Sequence, residues 1–418
     1  MRMQPDRNSY FQRFGFCERQ IATPPPSNLG LVVVIPCFNE PDLIGSLESL
    51  RNCDRPACAV EVIVVLNSSA KSSETARLQN QQTLQEVRPW MAVHSDPRLA
   101  FHLLHFPNLP PKQAGVGLAR KIGMDEAARR FDDTGNGEGV MVGFDADCRC
   151  ERNYLSCIER HFGGHPSSPG CSIYFEHPLD TSPEIAEAIV AYELHLRYYV
   201  QALRFAGFPY AHHTIGSSMA VRAEIYQKQG GMNKRQAGED FYFLHKITPL
   251  GGFTDLTETT VFPSPRPSDR VPFGTGKAVR GCLRGERILT YPLTAFLDLK
   301  QFFQHLPNLY RVRDNFGGEL PLTFPEAIRG FFKPEAFASA VKEISQNTSS
   351  ELAFRKRFFH WFDAFQTMKF LHYARDHFYG AKDVAEESRQ LLRLKFGALV
   401  EAPMWELLRI YRDLDRKA

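Results

Sequence analysis

A chain of 418 residues, 43% hydrophobic and 23% charged, fits one large globular domain or two of ordinary size. Its formal net charge is +3 and the charges are spread along the chain, so nothing in the balance calls for nucleic acid. No window approaches the roughly 18 apolar residues of a membrane span, and the opening MRMQPDRNSYFQRFGF lacks the apolar run of a signal peptide, so the expected location is cytoplasmic.

Residues 1–28 are polar and aromatic, end in PPPS, and read as an arm ahead of the first domain. LVVVIPCFNE (31–40) is a β-branched run closing in polar residues, which suits a central strand of a parallel sheet. PDLIGSLESLRNC follows as a helix with Leu43, Ile44, Leu47 and Leu50 on its apolar side. VEVIVVLNSS is a second buried strand, and KSSETARLQNQQTLQEV a polar helix. AFHLLHF is a weaker strand, KQAGVGLARKIGMDEAARRF a helix with a glycine-punctuated start, and GVMVGFDADC a strand that stops at two aspartates.

Strand–helix alternation of this kind predicts an α/β layer with a mainly parallel sheet. Ligands of such sheets bind beyond the carboxyl ends of the strands, where CFNE, LNSS and DADC are expected to gather.

Further on, residues 182–207 form a helix with Ser, Pro and Gly at its ends. HHTIGSSMAVRAEIYQKQGGM is a glycine–serine turn, a short strand and a helix, and GEDFYFLHKI opens another helix on two acids. FPSPRPSDRVPFGTGKAVRG (262–281) is basic, rich in Pro and Gly, and reads as a long ordered loop. From about 285 the chain is helical and aromatic. Its aromatic stripe reads first as packed core, while the basic residues around Arg355 to Arg357 leave room for peripheral membrane contact. Nine cysteines without paired C-x-x-C spacing read as reduced structural thiols, with a zinc site at Cys148, Cys150 and Cys157 the weaker alternative.

Asp145 and Asp147 pose the central question, because an acid at the end of a buried strand is costly unless paired or bound to a metal. A solvated turn is the plain alternative. A hard divalent cation on carboxylate oxygens can neutralise a departing diphosphate and act on it as a Lewis acid. The helix start GVGLARKIG has only part of a dinucleotide fingerprint, lacking the third glycine and a strong first strand.

Taken in order, PCFNE, LNSS, GLARKIGMDEA, DADC, GSSMAVR and GED resemble the family 2 glycosyltransferases over roughly residues 29–265. The resemblance implies a GT-A fold, Rossmann-like, with a mostly parallel sheet flanked by helices and here a helical C-terminal region. It divides the chain into an arm (1–28), a GT-A domain (29–265), a basic Pro/Gly loop near the site (266–284) and the helical region (285–418).

The resemblance also implies roles. Asp147 would ligate Mn2+ or Mg2+, with Asp145 near the ribose and the ion. Asp240 would take the proton of an acceptor hydroxyl, with Glu239 beside it, both favoured as anions by the helix N-terminus. Donor contacts would come from Pro36, Phe38, Asn39, Glu40, Asn67, Ser68, Arg120 or Lys121, Gly216 and Ser217. Arg266, Arg270 and Lys277 would meet the diphosphate, and His212 and His213 would touch acceptor or simply pack.

Two departures from the family stand out. Asn67 replaces an Asp common there, which leaves the base open, and TTVFPSPRPSDR holds no His as a further metal ligand. The implied activity is a metal-dependent, inverting transfer of a hexose from a nucleotide-sugar donor to a hydroxyl of a glycan, lipid or small molecule. The helix from 183 to 206 and the C-terminal region would form the acceptor side. The rivals are a sugar-phosphate nucleotidyltransferase, whose basic glycine-rich loop after the first strand is absent, and an inactive GT-A-like scaffold.

Overall fold

The computed structural model describes residues 9–268, 270, 273–313, 320–397 and 401–417. The chain divides into two compact units. One is built from the chain up to Ala186, from Thr214 to Arg280 and from Asp415 onward, and the other from Glu187–His213 and Gly281–Leu414.

The first unit holds one eight-stranded sheet. Its strands in chain order are β1 (Leu29–Cys37), β2 (Ala59–Ser69), β3 (Leu99–Leu109), β4 (Val140–Gly143), β5 (Arg149–Cys150), β6 (Gly170–Phe175), β7 (Met219–Arg222) and β8 (Thr254–Phe262). Their spatial order is β3-β2-β1-β4-β7-β6-β8-β5. Four pairings are parallel and three antiparallel, so the expected mostly parallel α/β sheet is present. Val32, Val33 and Val34 of β1 are fully buried, because helices cover both faces of the central strands and an alternating pattern has no place there.

The helices of this unit are α1 (Ser9–Phe14), α2 (Leu43–Arg51), α3 (Glu74–His94), α4 (Val116–Thr134), α5 (Tyr154–Gly164), the start of α6 (Pro183–Ala206), α7 (Ala223–Lys228), α8 (Glu239–Ile247) and most of α9 (Thr275–Leu283). Helix α9 corrects the expected loop over 262–281: its second part is helical, and two glycines had concealed it. Helix α4 is buried from Gly117 to Phe131 although it carries six charged residues in that span, and the burial is tolerated because the charges are paired. Arg130 meets Glu61 of β2, Arg129 meets Glu126, and Lys121 meets Asp125.

One topological detail positions the site. Strand β7 runs antiparallel to β4, with Met219 opposite Gly143. The turn that leads into β7 therefore lies at the carboxyl end of β4, beside the two aspartates. A Cβ on Gly143 would collide with the carbonyl oxygen of Gly216, so this close backbone approach needs glycine.

The second unit is helical, with only a two-residue ladder between Leu289–Thr290 and Lys382–Asp383 among its described residues. Phe302, Phe337, Phe354, Phe358, Phe359, Phe362 and Phe370 are buried in one core, which is the packing role expected of the aromatic stripe. Among the described residues of the whole chain, no helix is long and apolar enough to cross a membrane.

Candidate active site

Four separate sequence motifs meet on one side chain. Arg120, in the first turns of α4, is 1% exposed. Its Nε donates to Glu239 Oε1 at 3.1 Å, Nη1 to the carbonyl of Gly216 at 2.8 Å and Nη2 to Asp145 Oδ1 at 2.9 Å. Asp240 closes the ring from α8, because its Oδ2 accepts the backbone N–H of Gly216 at 2.9 Å. Gly238, in the left-handed region at φ 71°, caps α8 and sets Glu239 and Asp240 in its first turn.

Burial governs these acids more than the helix end does. It pushes the Glu239 carboxyl up to about 7, with Arg120 opposing and Asp240 adding to the rise. It also raises Asp240, against Arg120 and the N–H groups of Phe241 and Gly216, with Asp145 adding. The helix N-terminus that was expected to favour the anions is outweighed. A terminus contributes about 0.3–1 kcal/mol, less than the desolvation of a carboxylate beside other acids.

A second cationic knot sits at the end of β1. Glu40 is fully buried, with Oε1 accepting the N–H of Asp42 at 2.9 Å. Its Oε2 accepts from Arg266 and, at 2.6 Å, from Arg270 Nη1. Arg270 also donates to Asp147 Oδ2, so one guanidinium ties the first strand end to the second aspartate.

Asn39 precedes Glu40 at φ 51°, a strained value that Asn tolerates better than most residues. Its N–H donates to Asn80 Oδ1 at 2.8 Å, and Asn80 Nδ2 donates to the carbonyl of Asn67 at 2.9 Å. Asn80, from the middle of α3, thus laces the ends of β1 and β2 together. Its sequence signal is its spacing from Ala76, Thr83, Val87 and Met91, the other buried residues of α3.

The remaining expected residues fall on both sides of the line. Pro36, Asn67, Ser68 and Ser217 are buried at strand ends or the turn, Phe38 is half-buried, and Lys277 is exposed on α9. Ser68 Oγ donates to the carbonyl of Pro107, which commits that hydroxyl to β3. Lys121 is not brought to the acids. It is buried against Asp125, which also accepts from Tyr10 at 2.8 Å and Tyr226 at 2.7 Å, so this lysine anchors the N-terminal helix to α4.

Asp145 and Asp147 each give one oxygen to a guanidinium, and among the described residues no hydrogen bond reaches the other. Two hard carboxylate oxygens suit Mg2+ or Mn2+. Among the described residues no group of three or more His, Cys, Asp or Glu is placed to hold a metal, so such an ion would need further oxygens from ligand and water, and the weaker zinc alternative at Cys148, Cys150 and Cys157 is not borne out.

No family model and no curated protein matches this sequence. Among solved structures, the chain is similar to TarS 1-349 of S. aureus in complex with UDP-GlcNAc at 15% identity, with 93% of this chain and 88% of that one covered and a TM-score of 0.40. It is also similar to the mannosyltransferase PcManGT from Pyrobaculum calidifontis in complex with GDP-Man and Mn2+, at 18% identity, 98% and 93% coverage and a TM-score of 0.34. At TM-scores below one half these likenesses carry no weight for substrate or mechanism.

Proposed function

We propose that this protein is a glycosyltransferase that moves a sugar from a nucleotide-sugar donor to a hydroxyl acceptor. The observation that carries the reading is the convergence of Asp145, Gly216 and Glu239, with Asp240 alongside, on one buried guanidinium. A solvated turn or a helix cap would have no reason to bring these distant segments together.

In this reading the base and ribose lie over the ends of β1 and β2, at Phe38, Asn39 and Asn67. The diphosphate meets Arg270, which gives up its contact with Asp147. A divalent cation held by Asp147 with Asp145 would neutralise the leaving diphosphate. Asp240 takes the proton of the acceptor hydroxyl as that oxygen bonds to the anomeric carbon and the bond to the diphosphate breaks on the opposite face, with inversion. Its raised pKa makes it a better base at neutral pH than an ordinary aspartate, provided it stays ionised. Arg120 orients Asp145 and Glu239 beneath the donor.

A panel of nucleotide sugars, assayed for free nucleoside diphosphate with and without Mn2+, tests the reading. Diphosphate release that falls at least a hundredfold in Asp147→Ala and Asp240→Asn supports it. Formation of nucleoside triphosphate and sugar phosphate from the same panel when pyrophosphate is added would point to nucleotidyl transfer. Silence across the panel, with variants and wild type alike, would leave a non-catalytic protein.

A further inference from the structure

We propose that Cys53 and Cys150 form a dithiol site that reacts with a two-electron oxidant of the peroxide class and closes reversibly to a disulfide. The two residues are 97 positions apart, yet their sulfurs lie 3.6 Å from one another, at the end of α2 and in β5. A disulfide needs about 2.05 Å, so the sulfurs have to travel about 1.5 Å in total.

Ser49 holds both cysteines in place. Its Oγ accepts the N–H of Cys150 at 2.8 Å, and its carbonyl accepts the Cys53 thiol at 3.4 Å. Access comes from one side, where Cys150 lines an open cleft of about 700 Å³ together with Glu48, Ser49, Asn52 and Arg149.

The pair is also chemically set apart from the other thiols. Burial raises the thiols of Cys17, Cys37, Cys58, Cys148, Cys157, Cys171 and Cys282. The hydrogen bond between the partners pulls one thiol of the pair down and pushes the other up, so a single proton is shared between the two sulfurs. The hydroxyl of fully buried Tyr154, without a hydrogen-bond partner among the described residues, is pushed up by burial first and then by Cys150, Cys53, Cys148 and Cys171. A soft metal ion is a poorer fit, since no group of three or more ligating side chains is placed for one among the described residues.

The chemistry balances with peroxide as the named oxidant. The thiolate of the pair attacks one peroxide oxygen, the O–O bond breaks, and the hydroxide that leaves takes the proton of the partner thiol to become water. The partner thiolate then attacks the sulfenic sulfur, the S–O bond breaks, and a second hydroxide departs and is protonated by solvent. Two sulfurs are oxidised by one electron each and one peroxide is reduced to two waters.

The test treats the full chain with stoichiometric hydrogen peroxide, counts free thiols after denaturation, and maps cross-linked peptides by mass spectrometry without reductant. The expected result is loss of two of the nine thiols, one peptide pair joining Cys53 to Cys150, and full recovery with dithiothreitol. Phenylarsine oxide, which bridges close dithiols, should abolish that cross-link when added first, and Cys53→Ser and Cys150→Ser should each lack it. If either variant fails to fold, the wild-type map and the arsenical protection still decide. Cross-links elsewhere, or thiol loss with no Cys53–Cys150 peptide, overturn the proposal. Neither readout depends on sugar transfer.

Discussion

Arg120 Nε and Glu239 Oε1 lie 3.1 Å apart with neither residue more than 2% exposed, and this contact joins α4 to the first turn of α8. Removing one partner of such a pair leaves the other charge buried, at a cost of roughly 3–5 kcal/mol. Arg120→Met should therefore lower stability by about that amount at pH 8. The loss should be smaller at pH 5, because Glu239, already raised to about 7 by burial, can become neutral there. Urea unfolding of wild type and variant at both pH values checks this. Equal losses at the two pH values would show that the guanidinium acts through packing alone.

How much of this contact could be read from the sequence depends on the residue. Strands β1, β2 and β4 were legible because apolar runs buried on both faces leave a continuous signature, and the acids were legible because they interrupt it, whereas β5, only two residues long, the short β6 and the largely polar β8 were not read. The choice between Arg120 and Lys121 was not, since neighbours on a helix point about 100° apart and nothing local says which side faces the sheet end. Asp125, one turn after Lys121, was the available hint that this lysine is committed to its own helix. The ionisation of Glu239 and Asp240 could not be read either, because it is set by burial among segments up to 119 residues away. The same holds for Cys53 and Cys150, which meet only once α2 packs beside β5.

Gly216 leaves no room for a side chain beside Arg120. A Cβ there would stand 2.6 Å from Arg120 Nη2 and 3.2 Å from Asp240 Oδ2. Gly216→Ala should displace both side chains, costing roughly 1–3 kcal/mol in stability. On the proposed function it should also lower kcat at least tenfold, since a shift of a fraction of an ångström misplaces the base. Thermal melts beside steady-state kinetics measure the two effects, and an unchanged kcat would mean that Asp240 does not need this backbone contact.

Arg270 and Arg266 share Glu40, but only Arg270 also reaches Asp147. Arg270→Ala leaves Glu40 one guanidinium, so the fold should survive with a loss of about 1–2 kcal/mol. On the proposed function, donor KM should rise several-fold as a diphosphate contact is lost. Arg270→Lys should rescue little, because an ammonium cannot span Glu40 and Asp147 as the planar fork does. A donor KM unaffected by either substitution would remove Arg270 from the donor site.

The titration of Glu239 also sets a sign for stability against pH. Its carboxyl is raised to about 7 in the folded chain, against an ordinary value of about 4.5 once unfolded. Between those two values the native state holds more protons than the unfolded one, so the term favours folding below about 4.5 and is lost as pH rises through 7. Most proteins gain stability over that span as acidic groups ionise, and here one buried acid opposes the trend. Glu239→Gln removes the opposing term without removing the side chain. The difference in melting temperature between Glu239→Gln and wild type should move in the variant's favour from pH 4.5 to pH 7.5, and flatten outside that window. A difference that stays constant, or moves the other way, would mean that Arg120 keeps Glu239 ionised in the folded protein across the whole range.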